Sequence, residues 1–262
     1  IRVLERGKAV EEREQDVKKF CETGMLDPDS NVQFGEGGAG AFSDGKLNTQ
    51  TNDTRNRDVL DTFVRFGAPE EVGYLGKPHV GSDNLKKVVA NIRAHILRSG
   101  GEIRFCERLT DVRLHGGRLE AVITTRGEIA CDALVLAVGH SARDTFEMLL
   151  ARGFVMEQKE FAVGVRIEHL QSSIGRAQYG AGYAALPAAD YKLVSHASDR
   201  AVFTFCMCPG GVVIPSASEA GGGVTHGMSN YARSGSNANF VPGANTRWRA
   251  YSSRENSNVL LF

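Results

Sequence analysis

The sequence predicts an α/β fold: a doubly wound parallel sheet with a β-meander in residues 1–154, followed by a mixed α+β domain in residues 155–262. Three observations carry this prediction. They are a short strand that ends in Glu5, alternating segments joined by glycine turns within 102–132, and an apolar run at 133–138. Alternation is typical of strands with one buried face, and a continuous apolar run is typical of a parallel strand buried on both faces.

The composition excludes several classes of partner. Among the 262 residues, 31 Lys and Arg balance 31 Asp and Glu. A neutral balance gives no electrostatic footprint for nucleic acid or an anionic membrane, and no apolar run approaches the roughly 18 residues of a membrane-spanning helix. Five cysteines are a sparse, odd set that fits reduced thiols, so a cytoplasmic location is expected.

The first elements alternate between strand and helix. Residues 1–7 read as a strand and a turn, and in doubly wound folds the acid that ends the second strand accepts hydrogen bonds from ribose hydroxyls. Glu5 occupies that place. Helices are predicted from apolar periodicity, and the clearest of them has an apolar face, a capping Ser or Asp and a glycine after its end. The predicted helices lie around Val10–Phe20, at 58–66 and at 82–98.

A glycine-rich segment separates the first two helices. Five of the sixteen residues of Val32–Leu47 are glycine, which indicates backbone N–H groups turned towards an anionic ligand. The alternative is a glycine-rich surface loop without a ligand. Gly35, Gly37 and Gly40 match the spacing G-x-G-x-x-G, but a dinucleotide fingerprint must follow a strand and open a helix, and Phe42 begins a poor helical turn.

From residue 102 onward the sequence predicts mainly strands. Strands are predicted at 102–106, 109–114, 119–125 and 128–132, and the buried strand at 133–138 ends in Gly139 before another helix. From Val155 the pattern changes to strand and loop. The strand candidates there are 161–167, 191–194, 201–208 and 211–214.

Four segments of this chain resemble those of bacterial FAD-dependent dehydrogenases, which are flavoproteins of the glutathione-reductase type. The segments are G-E-G-G-A-G-A-F-S-D-G-K-L (35–47), V-L-A-V-G-H-S-A-R-D-T (135–145), F-A-V-G-V-R-I-E-H (161–169) and F-C-M-C-P-G-G (205–211). The resemblance extends to about Ala232. It implies a Rossmann-like FAD-binding domain in 1–154 and a substrate domain in 155–262.

The resemblance also implies roles for individual residues. Glu5 would bind the ribose of the FAD adenosine, Leu109 would present its backbone to adenine, and Lys46 would stabilise the reduced flavin ring by its positive charge. The other residues that it places at the cofactor are Gly37, Gly38, Ala39, Gly40, Ser43, Ala137, Gly139, His140 and Ser141. The partners implied are a small-molecule substrate and an electron acceptor, for which a nicotinamide cofactor is one candidate.

The sequence departs from this family in two respects. The glycine fingerprint that normally lies about 20 residues before the ribose acid is not in the chain, and the closing part of the cofactor domain is not recognisable. We therefore interpret the chain as an internal fragment of a flavoprotein. Because the pyrophosphate loses its helix N-terminus in such a fragment, we expect weak retention of FAD.

The candidates for catalysis are Lys46, His140, Cys206 and Cys208. Two cysteines two residues apart on a strand share a face, so the pair is either buried structure or lies near the substrate. No second cysteine or histidine pair completes a zinc site, and no metal is predicted. A neutral histidine suits proton transfer beside a hydride transfer, although His140 could equally pack against the cofactor.

Three classes of function follow from these observations. The leading one is a flavin-dependent oxidoreductase that passes a hydride between an organic substrate and N5 of FAD. A flavoprotein that acts on RNA is a second class, which the zero net charge disfavours. A catalytically silent remnant is the third, and it would be colourless when purified.

Overall fold

The computed structural model describes residues 1–43, 45, 47, 52–75, 80–158, 164, 169–196, 202–204, 207 and 212–228. Within these residues the helices are α1 (Val10–Thr23), α2 (Arg55–Arg65), α3 (Ser82–Arg98), α4 (Arg143–Ala151) and α5 (Gln171–Tyr179). The strands are β1 (Arg2–Leu4), β2 (Glu102–Arg104), β3 (Leu109–His115), β4 (Arg118–Thr124), β5 (Gly127–Ala130), β6 (Val194–Ser195), β7 (Val202–Phe203), β8 (Val212–Ser216) and β9 (Val224–Met228). Short 3-10 helices lie at Gly38–Phe42, Glu70–Gly73 and Gly180–Ala185.

The strands form four small sheets in the described part of the chain. β1 pairs in parallel with β2, and β3, β4 and β5 form the predicted antiparallel meander. β6 pairs with β7, and β8 pairs with β9, both as antiparallel ribbons. The result is a mixed α/β chain in which the helices and strands of the first 130 residues follow the predicted order.

The helix predictions are confirmed for α1, α2, α3 and α4, with ends that shift by a few residues. α1 ends at Gly24, which adopts the left-handed conformation with φ 73° and donates its N–H to the carbonyl of Phe20. α3 buries Leu85 and Val88 from the predicted apolar face. Amphipathic spacing and a terminal glycine were therefore sufficient signals for these helices.

The predicted buried strand at 133–138 is wrong. These residues form no strand, and Val135 and Leu136 are 89% and 41% exposed. A parallel strand buried on both faces needs a hydrogen-bonded neighbour and a covering layer. No strand in the described residues pairs with this segment, so its apolar composition alone does not produce a ladder.

The second half of the chain contains a helix that the sequence analysis missed. α5 lies where only strand and loop were predicted, and its one buried position is Gly175, because the ring of Tyr183 packs against that glycine. With so little apolar periodicity the helix gave no clear pattern. Of the strand predicted at 191–194 only Val194 lies in β6, and 191–193 form no strand. The predictions at 201–208 and 211–214 overlap β7 and β8, while parts of both, and most of 161–167, lie outside the described residues.

The contacts divide the chain into two units. Among the described residues, the first unit comprises those within 1–38, 93–158 and 217–222, and the second comprises those within 39–92, 164–216 and 223–228. The second unit has a small core of Ala68, Val72, Val80, Leu85 and Val88. The predicted division into domains at residue 154 stays a prediction.

Candidate functional site

Glu5 follows β1 directly, as predicted, and its carboxylate is held on one side only. Oε1 accepts hydrogen bonds from the backbone N–H of Gly7 at 2.9 Å and of Gly35 at 3.0 Å. Within the described part of the chain Oε2 has no hydrogen-bond partner, and the side chain is half-buried. Glu5 can therefore accept a further hydrogen bond without giving up either of those it has.

Two glycines allow the backbone to approach Glu5 so closely. A Cβ on Gly7 would lie 2.6 Å from the Cα of Gly35 and 2.5 Å from the carbonyl oxygen of Asp29. The parallel pairing of β1 and β2 continues past Glu5, because Glu107 donates its N–H to the Glu5 carbonyl at 3.0 Å. The place of Glu5 is thus fixed by a sheet on one side and a glycine contact on the other.

The glycine-rich segment begins with a tight turn. The N–H of Gly38 donates to the carbonyl of Gly35 at 3.0 Å, and Gly37, the third residue of the turn, has φ 83°, the value that a type II turn requires. Gly38 has φ 57°, and a Cβ built on it would meet nothing within 4 Å. Gly37 is exposed, so backbone at the tip of this turn is open to a ligand.

Two charged side chains fix this turn from the inside. Glu36 accepts the N–H of Val10 at 2.9 Å through Oε2, which caps α1, and the same oxygen accepts a bond from Arg93 Nη1 at 2.9 Å. Burial raises the pKa of the Glu36 carboxyl, and these two donors oppose the rise. Arg13 of α1 is completely buried and donates to backbone carbonyls on both sides of Phe34.

The start of α4 is tied to the residue after Glu5. Arg6 donates through Nη2 to Asp144 at 2.6 Å, and its guanidinium carbon lies 4.3 Å from the centre of the Phe34 ring. Arg108 pairs with Asp29 at 3.3 Å and lies 3.9 Å from Asp144. Parts of three motifs singled out in the sequence, around residues 5, 35 and 144, therefore meet within the first unit.

The predicted residues just before α4 are less enclosed. Ala137 and Gly139 are exposed, and Gly139 has φ 72° with open space where a Cβ would lie. Ser141 is buried, and its Oγ lies 3.3 Å from Nε2 of His140. His140 is exposed, but partial desolvation of its ring, aided by the positive charge of Arg143, lowers the pKa of His140. The imidazole is therefore mostly neutral at pH 7 and able to accept a proton.

The remaining predicted residues lie at β3, in the second unit, or outside the described part of the chain. Leu109 begins β3 opposite Thr124. Ala39, Gly40 and Ser43 belong to the second unit, where Ser43 Oγ donates to the Gly40 carbonyl at 2.9 Å and accepts the N–H of Gly45. Lys46, Cys206 and Cys208 lie outside the described residues, and their roles stay predictions.

The structure also pairs two residues to which the sequence analysis gave no role. His169 Nε2 lies 2.8 Å from the hydroxyl of Tyr191, with the ring centres 5.6 Å apart. Burial raises the pKa of Tyr191. Gln171 of α5 donates to the carbonyl of Ala189 and so anchors the segment before Tyr191. The two residues are 22 positions apart, and no spacing rule connects them.

The described residues contain neither a candidate metal site nor a candidate membrane-spanning helix. No group of three or more His, Cys, Asp or Glu side chains in that part of the chain is arranged to hold a metal ion. No described helix combines the length and the apolar character that crossing a bilayer would need.

Known proteins that are similar to this chain indicate its cofactor. Residues 160–244 match the family model described as FAD-dependent protein, C-terminal domain-like. An uncharacterized protein of Clostridium beijerinckii is 52% identical over 241 residues, which are 90% of this chain and 45% of that protein. This chain thus spans less than half the length of that relative. The family match confirms the prediction of FAD as the cofactor.

The similarity of this chain to a solved structure is weaker. The structure of an L-amino acid deaminase from Proteus myxofaciens in complex with anthranilate is 17% identical, with a TM-score of 0.23. The alignment covers 54% of this chain and 28% of that one. A TM-score of this size does not establish a common fold, so the site rests on its own geometry and on the family match.

Proposed function

We propose that this chain is part of an FAD-dependent oxidoreductase that passes a hydride between an organic substrate and the flavin. The observation that carries the proposal is the carboxylate of Glu5, held through one oxygen by Gly7 and Gly35 while the other oxygen has no partner in the described chain. The match of residues 160–244 to an FAD-dependent family supports the same cofactor.

The residues of the first unit fit the adenosine end of FAD. Oε2 of Glu5 would accept a ribose hydroxyl, because an acid at the end of such a strand is the usual ribose acceptor. The exposed backbone at Gly37 and the open side of Gly38 would allow an anionic group to approach without meeting a side chain. The bound flavin would supply a two-electron acceptor for the substrate's hydride.

His140 is our candidate for the proton that accompanies the hydride. Its lowered pKa, caused first by partial desolvation and then by Arg143, keeps the ring mostly neutral at physiological pH. A neutral ring can take the proton that a hydroxyl or amino group loses when the neighbouring carbon is oxidised. Ser141 is buried, and its hydrogen bond with the imidazole of His140 would restrain that ring.

Titration with FAD, followed by quenching of flavin fluorescence, tests the proposal. The Glu5→Gln variant keeps the size of the side chain but replaces the accepting oxygen, so its Kd should rise by roughly tenfold, the equivalent of about 1.4 kcal/mol. Glu12→Gln, an exposed neighbour on α1, is the matched control and should bind like the wild type.

Two results would contradict the proposal. One is a wild-type chain that does not bind FAD at any accessible concentration, and the other is a Glu5→Gln variant with an unchanged Kd. If FAD binds, anaerobic mixing with hydroxy acids, amino acids and reduced nicotinamide should bleach the flavin spectrum for one class only. That class would identify the type of substrate or electron donor.

A further inference from the structure

Arg13 is the largest completely buried side chain of the described residues, and it carries a charge. Its Nε donates to the carbonyl of Asn31 at 2.7 Å, Nη1 to that of Glu36 at 2.7 Å, and Nη2 to that of Val32 at 2.9 Å. Burial lowers its pKa to about 10, against the favourable charges of Glu5 and Glu36. The guanidinium therefore stays positive at neutral pH.

A buried arginine is costly unless its donors are used, and here three of its nitrogens donate to one short loop. Three carbonyls within residues 31–36 converge on one rigid fork. The planar guanidinium fixes their relative directions better than an ammonium could. Arg13 thus sets the path of the backbone between Asn31 and Glu36.

That path ends at the carboxylate of Glu5. The side chain of Arg13 lies against Gly35, where a Cβ would be only 2.3 Å from Arg13 Cδ. The N–H of the same glycine donates to Glu5 Oε1 at 3.0 Å. A shift of the loop away from Arg13 would remove this bond and leave the N–H of Gly7 as the one described donor to Glu5.

We propose that Arg13 is a positioning residue for ribose recognition. It holds Gly35 so that Oε1 of Glu5 is fixed by two N–H groups, and Oε2 would then accept a ribose hydroxyl of the ligand. A carboxylate restrained in this way loses less freedom on binding. This inference rests on the proposed function, because it assigns to Arg13 the orientation of the residue that would bind FAD.

The experiment measures how strongly the chain distinguishes ribose hydroxyls. The probes are FAD and an FAD analogue whose adenosine ribose lacks both hydroxyl groups, and the readout is the ratio of their Kd values. We expect the wild type to prefer FAD by roughly tenfold, as for one good hydrogen bond to a charged group. In Arg13→Lys the ratio should fall towards one while the Kd for the analogue changes little.

Two further variants complete the design. Arg13→Met fills the same space without charge and should lose the preference as well, and Arg118→Lys, an exposed position in β4, should keep it. A purely structural role would weaken binding of both probes equally, and equal weakening would overturn the inference. Failure of both Arg13 variants to fold would also overturn it, since Arg13 would then act in folding rather than in positioning.

The outcomes for Arg13 and for the proposed function are distinguishable. A wild-type chain that binds neither probe, or binds both alike, contradicts ribose recognition by Glu5 and with it the proposed site. A wild-type preference that survives in both folded Arg13 variants contradicts only the positioning role.

Discussion

Replacing Gly35 by alanine should be far more damaging than the same change at Gly38, although both glycines have positive φ. At Gly35, φ is 115° and a Cβ would lie 2.3 Å from Arg13 Cδ and 2.7 Å from Nε. The arginine cannot withdraw, because its guanidinium is held by three carbonyls. At Gly38, φ is 57° and the space around a Cβ is open.

The expected magnitudes follow from these contacts. Gly38→Ala should cost about 1 kcal/mol, the strain of a non-glycine residue in the left-handed region. Gly35→Ala carries a larger strain and a severe overlap with a fixed side chain, and should cost roughly 3 kcal/mol or more. Chemical denaturation followed by circular dichroism measures both. Equal losses of unfolding free energy in the two variants, or a Gly35→Ala variant as stable as the wild type, would refute the reasoning. The fixed side chain of Arg13 would then not exclude a Cβ at Gly35.

Two further predictions concern other pairs. The pKa of Glu11 is lowered from 4.5, chiefly by its hydrogen bond from an arginine of α3, so the pair stabilises the fold above that pH and loses its effect as the pH falls through the lowered value. Glu11→Gln should therefore cost about 0.5 kcal/mol at pH 7, and this cost should shrink as the pH falls below 4.5, whereas the exposed Glu12→Gln should be neutral throughout. Tyr191→Phe should cost about 1 kcal/mol by removing the bond to His169; a loss no larger than in Tyr183→Phe would show that the bond is weak.

The sequence predicted the local elements of this fold better than its tertiary contacts. α3 and the meander carry their signals within a few residues, as an apolar face or as alternation around glycine turns. The segment 133–138 failed because an apolar run shows a capacity for burial and not the presence of a partner strand. A regular pattern of apolar residues indicates which secondary structure a segment favours by itself. Whether a strand is paired depends on the segments that lie beside it in the fold.

The candidate site could also be predicted from the sequence only in part. The position of Glu5 at a strand end could be read from the sequence, but its bond from Gly35 depends on a close approach between residues 30 positions apart. Arg13 lies in the charged run E-E-R-E-Q, which is typical of an exposed helix face. Its burial becomes visible only when the carbonyls of the following loop are seen to surround it.

A last prediction concerns the buried carboxyl group of Glu107, which lies just after the parallel pair of β1 and β2. Glu107 is 1% exposed, and its Oε1 accepts a bond from Thr124 Oγ1 at 2.6 Å, while Oε2 has no partner among the described residues. The nearest described charge is Arg104 Nη1, 3.6 Å from Oε1. The threonine hydroxyl is therefore the closest described donor to this group.

Thr124→Val keeps the shape of the side chain but removes the hydrogen bond to Glu107, together with the contacts of the same hydroxyl with the Gly127 carbonyl and the Arg126 N–H. The loss should cost about 2 kcal/mol. Thr110→Val is the matched control, because the Thr110 hydroxyl also bonds across the meander, to the carbonyl of Ile123, but at an exposed position. Its cost should stay within about 0.5 kcal/mol. Thermal unfolding of the two variants side by side decides the matter: if they lose the same stability, the bond from Thr124 does not support Glu107. If Thr124→Val is clearly the less stable protein, the hydroxyl of Thr124 contributes to holding the meander against the segment that follows β2, beside the bond from Arg126 to the carbonyl of Phe105.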